Sequence, residues 1–248
     1  MSSVGSTSAP VQTTGRTGLV GSVRRDFNTM TWVLMPVAIA INVAIGQIVL
    51  ALKLPVYLDS IGTVLVGVLC GPWAGALTGL LSNLIWGIAL DPNALPWFPV
   101  AAAIGATAGI CAKFGLFKNW WKTAISGFLI AIVAAIISAP IAVLVYGGIT
   151  ASGSSMITAF LLQTGQGLYT SVFSTNFLVE PVDKISTALL AFAIIEGLSA
   201  RYLARFPRPE NAALGAQADR RTQLLIAVGI VIILFLVDAF IIVNLISD

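Results

Sequence analysis

The chain has 248 residues, of which 58% are hydrophobic and only 9% charged, with a net charge of +3 and a mean hydropathy of +0.97. A soluble domain carries roughly 25% charged residues, so a water-coated globule is excluded, and long, unalternating apolar runs read as an all-α integral membrane protein rather than a β-barrel. Histidine is absent and no Gly-Lys pair occurs, which removes imidazole catalysis, imidazole metal sites and a self-contained P-loop ATPase; the small net charge gives no reason to expect nucleic acid, and no cofactor is implied.

Residues 1–30 are rich in Ser, Thr and Gly and end in Arg24, Arg25 and Asp26. They read as a disordered polar tail, and the apolar run after Thr31 is too long for a cleavable signal. A bilayer needs about 20 helical residues. By that measure spans are expected at 32–52, 58–70, 73–90, 96–115 and 123–147, then at 183–204, and at 223–246 after a polar linker at 206–222. Cys70 and Cys111 lie inside apolar runs and read as small buried hydrophobes.

The ambiguous stretch is 148–182, whose middle is apolar but carries Gln163, Gln166, Asn176 and Glu180. Cations collect on the cytoplasmic side of membrane proteins. If this stretch does not span, eleven of the 13 cations fall on one side, leaving Lys53 and Lys184 on the other. The stretch therefore reads as an external lid, helical or re-entrant. Seven spans follow, with the N-terminus in the cytoplasm.

Small residues recur every fourth position at Gly71, Gly75, Gly79, Asn83 and Gly87, and again at Ala101, Gly105 and Gly109. Such stripes let helix backbones approach closely where lipid supplies no hydrophobic force. Intramembrane polar groups are functional candidates by default, and here they gather toward the outer side. The candidate substrate-binding residues are Asp59, Asn83, Trp86, Asn93, Trp97, Gln163, Gln166, Tyr169, Asn176 and Lys184. Asp59 and Asp183 stand at expected helix starts, where a carboxylate caps amides or meets a ligand. Lys184 has Asp59, Glu180 or an anionic ligand as possible partners. Indoles, a tyrosine and amides suit a planar heterocycle or nucleoside-like compound, and no catalytic pair is present. A self-contained secondary transporter and a membrane sensor or scaffold are the alternatives. Asp238, inside the last span, reads as an interhelical hydrogen-bonding group.

The runs INVAIGQ at 41–47, LPVYLDSIGT at 54–63, GPWAGALTGLLSNL at 71–84 and PVDK at 181–184 resemble the substrate-binding S component of energy-coupling factor (ECF) vitamin transporters, a type of ABC importer. The resemblance covers about residues 32–205. It implies a six-helix membrane bundle that captures a vitamin or related micronutrient outside a prokaryotic cell. The resemblance also implies partners: a membrane scaffold, the T component, and two ATPase subunits, with Ala40 and Ala44 as the scaffold-docking pair. The pocket would lie under the loops at 53–57, 91–95 and 148–182. The span at 223–246 is additional to that six-helix unit.

Overall fold

The computed structural model describes residues 18–211 and 217–247, and every regular element among them is helical. The α-helices are α1 (Leu19–Asp26), α2 (Thr29–Ala51), α3 (Ile61–Cys70), α4 (Pro72–Ala89), α5 (Phe98–Lys113), α6 (Trp120–Tyr146), α7 (Ser155–Gln163), α8 (Leu168–Gly197), α9 (Ala200–Leu203) and α10 (Gln217–Ser247). Short 3₁₀ segments cover Pro92–Trp97 and Pro209–Asn211. Among the described residues, three stretches are long and apolar enough to cross a membrane: Thr29–Ala51, Pro92–Lys113 and Trp120–Tyr146. The protein is all-helical and membrane-embedded.

Local chemistry sets several boundaries. Asn28 and Thr31 form a reciprocal cap at the start of α2, the Asn28 side chain accepting from the Thr31 amide at 2.8 Å. Gly71 joins α3 to α4 at φ +116°, a conformation that favours glycine, and Pro72 then opens α4. Helix α3 is too short to span alone, and all its residues are buried. Wrapped by α2, α4, α5 and α8, it does not have to satisfy lipid along its length.

The glycine stripes mark the closest packing. A Cβ on Gly105 would stand 2.1 Å from the Gly75 carbonyl oxygen, and one on Gly79 would stand 2.1 Å from that of Ala101. Helices α4 and α5 therefore meet backbone to backbone. Buried Asn42 pins α2 to both neighbours: its amide donates to Thr63 at 2.8 Å and Ser82 at 3.0 Å, and its oxygen accepts from the Gly62 amide at 2.7 Å. These bonds satisfy an amide that would otherwise be costly to bury.

Four expectations change. Residues 18–30 are not a loose tail: α1 is helical, and fully buried Asp26 accepts from Arg208 Nε at 3.0 Å and from the Trp73 amide at 3.1 Å. Residues 1–17 and 212–216 lie outside the described part of the chain. The linker is likewise ordered up to Asn211, where the Arg208 amide donates to Leu69 (3.1 Å) and the Asn211 side chain to Val68 (2.8 Å). The span expected at 183–204 begins instead at Leu168 and runs through Pro181 as the 30-residue α8. Proline removes one backbone hydrogen bond, but in a membrane bundle neighbouring helices compensate. Finally, α10 begins at Gln217 and packs Ala227 and Val231 against Leu189 and Phe192 of α8, so the additional helix braces that element. The Asp238 side chain lies outside the described residues.

The bundle has two unlike ends. Contacts among α1, the Gly71–Pro72 junction and residues 208–211 gather Arg24, Arg25 and Arg208 at one end. At the other end the α2–α3 loop, the Pro92–Trp97 segment and residues 146–155 converge, linked by bonds such as Lys53 Nζ to the Ala151 carbonyl (2.9 Å) and Tyr146 Oη to the Asn93 carbonyl (2.5 Å).

Candidate functional site

The convergent loops roof a cavity of about 150 Å³. One water needs about 10–15 Å³ of such space, so the cavity has room for a small organic molecule. Its walls come from α4 (Asn83, Trp86), the 3₁₀ segment (Asn93, Trp97), α5 (Ala101, Ile104), α6 (Ser138, Tyr146) and α8 (Asn176, Glu180, Lys184). Tyr57 and Asp59 complete it from the α2–α3 loop, and Ser152, Ser154 and Thr158 from the lid.

Seven of the ten sequence-predicted binding residues meet here: Asp59, Asn83, Trp86, Asn93, Trp97, Asn176 and Lys184. Gln163, Gln166 and Tyr169 do not line it and are exposed. Gln163 ends α7, and Tyr169 lies in the first turn of a helix that starts earlier than expected. Tyr57 and Tyr146 line the wall without being among the sequence-predicted binding residues. Tyr146 stacks on Trp97 with ring centroids 5.3 Å apart and planes 6° apart. In sequence the two are separated by the lengths of both α5 and α6, and nothing local announces the pair.

The polar chemistry centres on one turn of α8. Asp183 is fully buried, and its Oδ1 accepts from the amides of Tyr57 (2.8 Å) and Leu58 (2.7 Å). Its Oδ2 takes the Lys184 ammonium directly. Asp183 is thus no N-cap of its own helix; it caps the backbone of a distant loop and fixes that loop over the cavity. The Lys184 Nζ also lies 3.6 Å from Glu180 Oε2, 3.9 Å from Asp59 Oδ1 and 5.4 Å from the Tyr57 ring centroid. Of the partners open to Lys184, the carboxylates have it. Asp59 does not cap α3 either, since that helix start has no side-chain cap bond; its carboxylate accepts from Ser60 at 2.8 Å and faces the cavity.

Two buried polar atoms of the wall, Trp86 Nε1 and Glu180 Oε2, have no hydrogen-bond partner. Trp86 is held from behind by Gly46, where a Cβ would fall 2.5 Å from the indole. Asn176 donates to Ser138 at 2.9 Å, joining α8 to α6. Burial, and next the Glu180 carboxylate, hold the Tyr57 phenol well above the usual tyrosine range. It stays neutral and shares a 3.0 Å hydrogen bond with Ser154 of the lid. Thr158 of α7 donates to Thr175 of α8 at 2.9 Å, seating the lid helix.

Fold and site together define a membrane-embedded helical protein with a roofed, aromatic- and carboxylate-lined cavity at one end. The chain matches no family model, no curated protein and no solved structure.

Proposed function

We propose that the chain is a solute-capture subunit of an ATP-driven importer, acting as the S component of an ECF transporter. It takes up a vitamin-like micronutrient in the cavity and passes it inward with a membrane scaffold and two ATPases. The observation that carries this reading is the roofed cavity at the end opposite the arginine cluster, in a chain whose sequence has no nucleotide-binding loop. The charge asymmetry supports seven spans in a prokaryotic plasma membrane, with the arginine-rich end and the N-terminus cytoplasmic. The reading assigns no catalytic step.

On this reading Ala40 and Ala44 dock on the scaffold. Both are exposed on α2, in a stripe with Val33, Val37 and Ile48, and small residues on an outward helix face permit close helix contact. Introducing Ala40→Arg and Ala44→Arg together is expected to abolish uptake in cells while ligand binding by the purified protein persists. Undiminished uptake would remove the docking assignment.

Native mass spectrometry of the purified chain tests the capture reading directly, because a tightly held solute should co-purify. Trp86 and Trp97 should report its binding. Intrinsic fluorescence is expected to be quenched as the co-purified compound is added back, and Trp86→Phe or Trp97→Phe should roughly halve the response, indole for indole. Full quenching in both variants would place the solute elsewhere.

The buried cluster of Glu180, Asp183 and Lys184 favours a second reading, an ion-coupled secondary transporter. Proteoliposomes containing this chain alone separate the two. Solute accumulation driven by an ion gradient, with no ATPase present, selects the second.

A further inference from the structure

The charges around the cavity do not balance, and the imbalance bears on what fills it. Three carboxylates line it, Asp59, Asp91 and Glu180, against one ammonium, Lys184. Asp91 stands at the start of the Pro92–Trp97 segment and is committed to the amide and side chain of Asn93, both at 3.0 Å. Lys184 is committed to Asp183, which lies behind the wall and is fully buried. The same ammonium is the ion-pair partner of Glu180 at 3.6 Å and Asp59 at 3.9 Å, so one cation serves three anions and two negative charges are in excess.

Among the described residues, Lys184 is the cation that pairs with either. The exposed Lys53 sits at the rim and gives its ammonium to the Ala151 carbonyl at 2.9 Å. Glu180 is 4% exposed, and its Oε2 faces the Lys184 ammonium at 3.6 Å without a hydrogen bond. A buried carboxylate oxygen with no donor is costly, and the cost falls when a cationic donor arrives. Beside it, Trp86 presents an indole N–H with no acceptor. An aromatic face next to excess carboxylate charge attracts a flat cation by both its quadrupole and the nearby charge.

We infer that the solute carries a positive charge on a planar, nitrogen-containing group, seated between Glu180 and Asp59 against Trp86 and offering that indole an acceptor. An anionic solute meets an excess of two carboxylate charges and a lysine already shared among three carboxylates. The inference rests on the cavity being the solute site of the proposed function, and not on coupling to ATP.

Benzamidine, benzamide and benzoate give one nearly constant shape with charges of +1, 0 and −1, and serve as probes. Each is titrated into the purified full-length chain in detergent, followed by tryptophan fluorescence and thermal shift. Benzamidinium is expected to half-saturate at a concentration about tenfold or more below that of benzamide, with benzoate weakest. Glu180→Gln should bring the first two within about twofold of each other. Asp59→Asn, at a half-exposed position where folding is not at stake, should narrow the gap in the same direction.

Equal binding of all three probes, or preference for benzoate, overturns the charge assignment and leaves solute capture standing. An anionic compound co-purifying in the mass spectrum does the same. Stabilisation by magnesium chloride alone, lost in Glu180→Gln, replaces the organic cation with an inorganic one and overturns the inference. Failure of every probe, with nothing co-purifying, removes the solute site itself and the proposed function with it.

Discussion

Asp183→Ala is expected to lower the melting temperature of the detergent-solubilised protein by about 10 °C or more, the largest effect of any single substitution near the cavity. The carboxylate has three partners at once: the amides of Tyr57 and Leu58 and the ammonium of Lys184. Removing it orphans two backbone donors and leaves a buried cation beside a cavity. Breaking one side of a buried pair typically costs about 3–5 kcal/mol, and about 1 kcal/mol shifts melting by about 2–4 °C in a chain of this size. Asp183→Asn should fall between this variant and the native protein, because its amide oxygen still accepts from the loop while its charge is gone. A melting curve for Asp183→Ala within 2 °C or so of the native one would show that the loop is held by something else.

The second large effect is expected at the seam between α4 and α5. Gly105→Ala should depress melting by about 5 °C or more, because its Cβ meets the backbone of Gly75 at 2.1 and 2.2 Å, and overpacking costs about 1–3 kcal/mol even where side chains can yield. Backbone yields less. Separating these helices also separates Asn83 and Trp86 on one wall from Ala101 and Ile104 on the other, so solute affinity should fall with stability. The control is Gly229→Ala on α10, where an added Cβ meets nothing within 4 Å. That change should be neutral or slightly stabilising, since alanine is the better helix former. Equal melting shifts in the two variants would deny the seam its special role.

What the residues disclosed, and what they withheld, divides along the range of the forces involved. The four-residue glycine spacing is a local pattern, and its Gly75 and Gly79 lie on the α4 face that meets α5. Apolar length located helices well, to within a few residues for α2, α4 and α6. Seven of the ten polar and aromatic groups picked out near one end line the cavity, because such groups in a membrane chain have few other reasons to be there. The failures are long-range. An isolated helix of eight residues is marginal, and α1 exists with Arg208, 182 positions away, bonded to its last residue. Pro181 looked like a helix start, yet the helix around it is held from outside, by loop amides on Asp183 and by α6 and α10 along its flanks. Tyr169 is exposed because the starting point of α8 fixes which way its first turn looks, and Gln163 and Gln166 are exposed at the end of α7 and in the turn that follows it.

The continuity of α8 has a thermodynamic consequence. One rod presents Asn176 and Glu180 to the cavity, holds the α2–α3 loop through Asp183, and two turns further on offers Leu189 and Phe192 to α10. A shift or tilt of that rod therefore changes solute contacts and α10 packing together. Binding linkage is reciprocal: if a solute in the cavity alters how firmly α10 is seated, then a partner gripping α10 alters solute affinity by the same factor. The additional helix is in this sense a handle on the cavity from its far side, and its removal would change the energy of loading as well as the stability of the bundle.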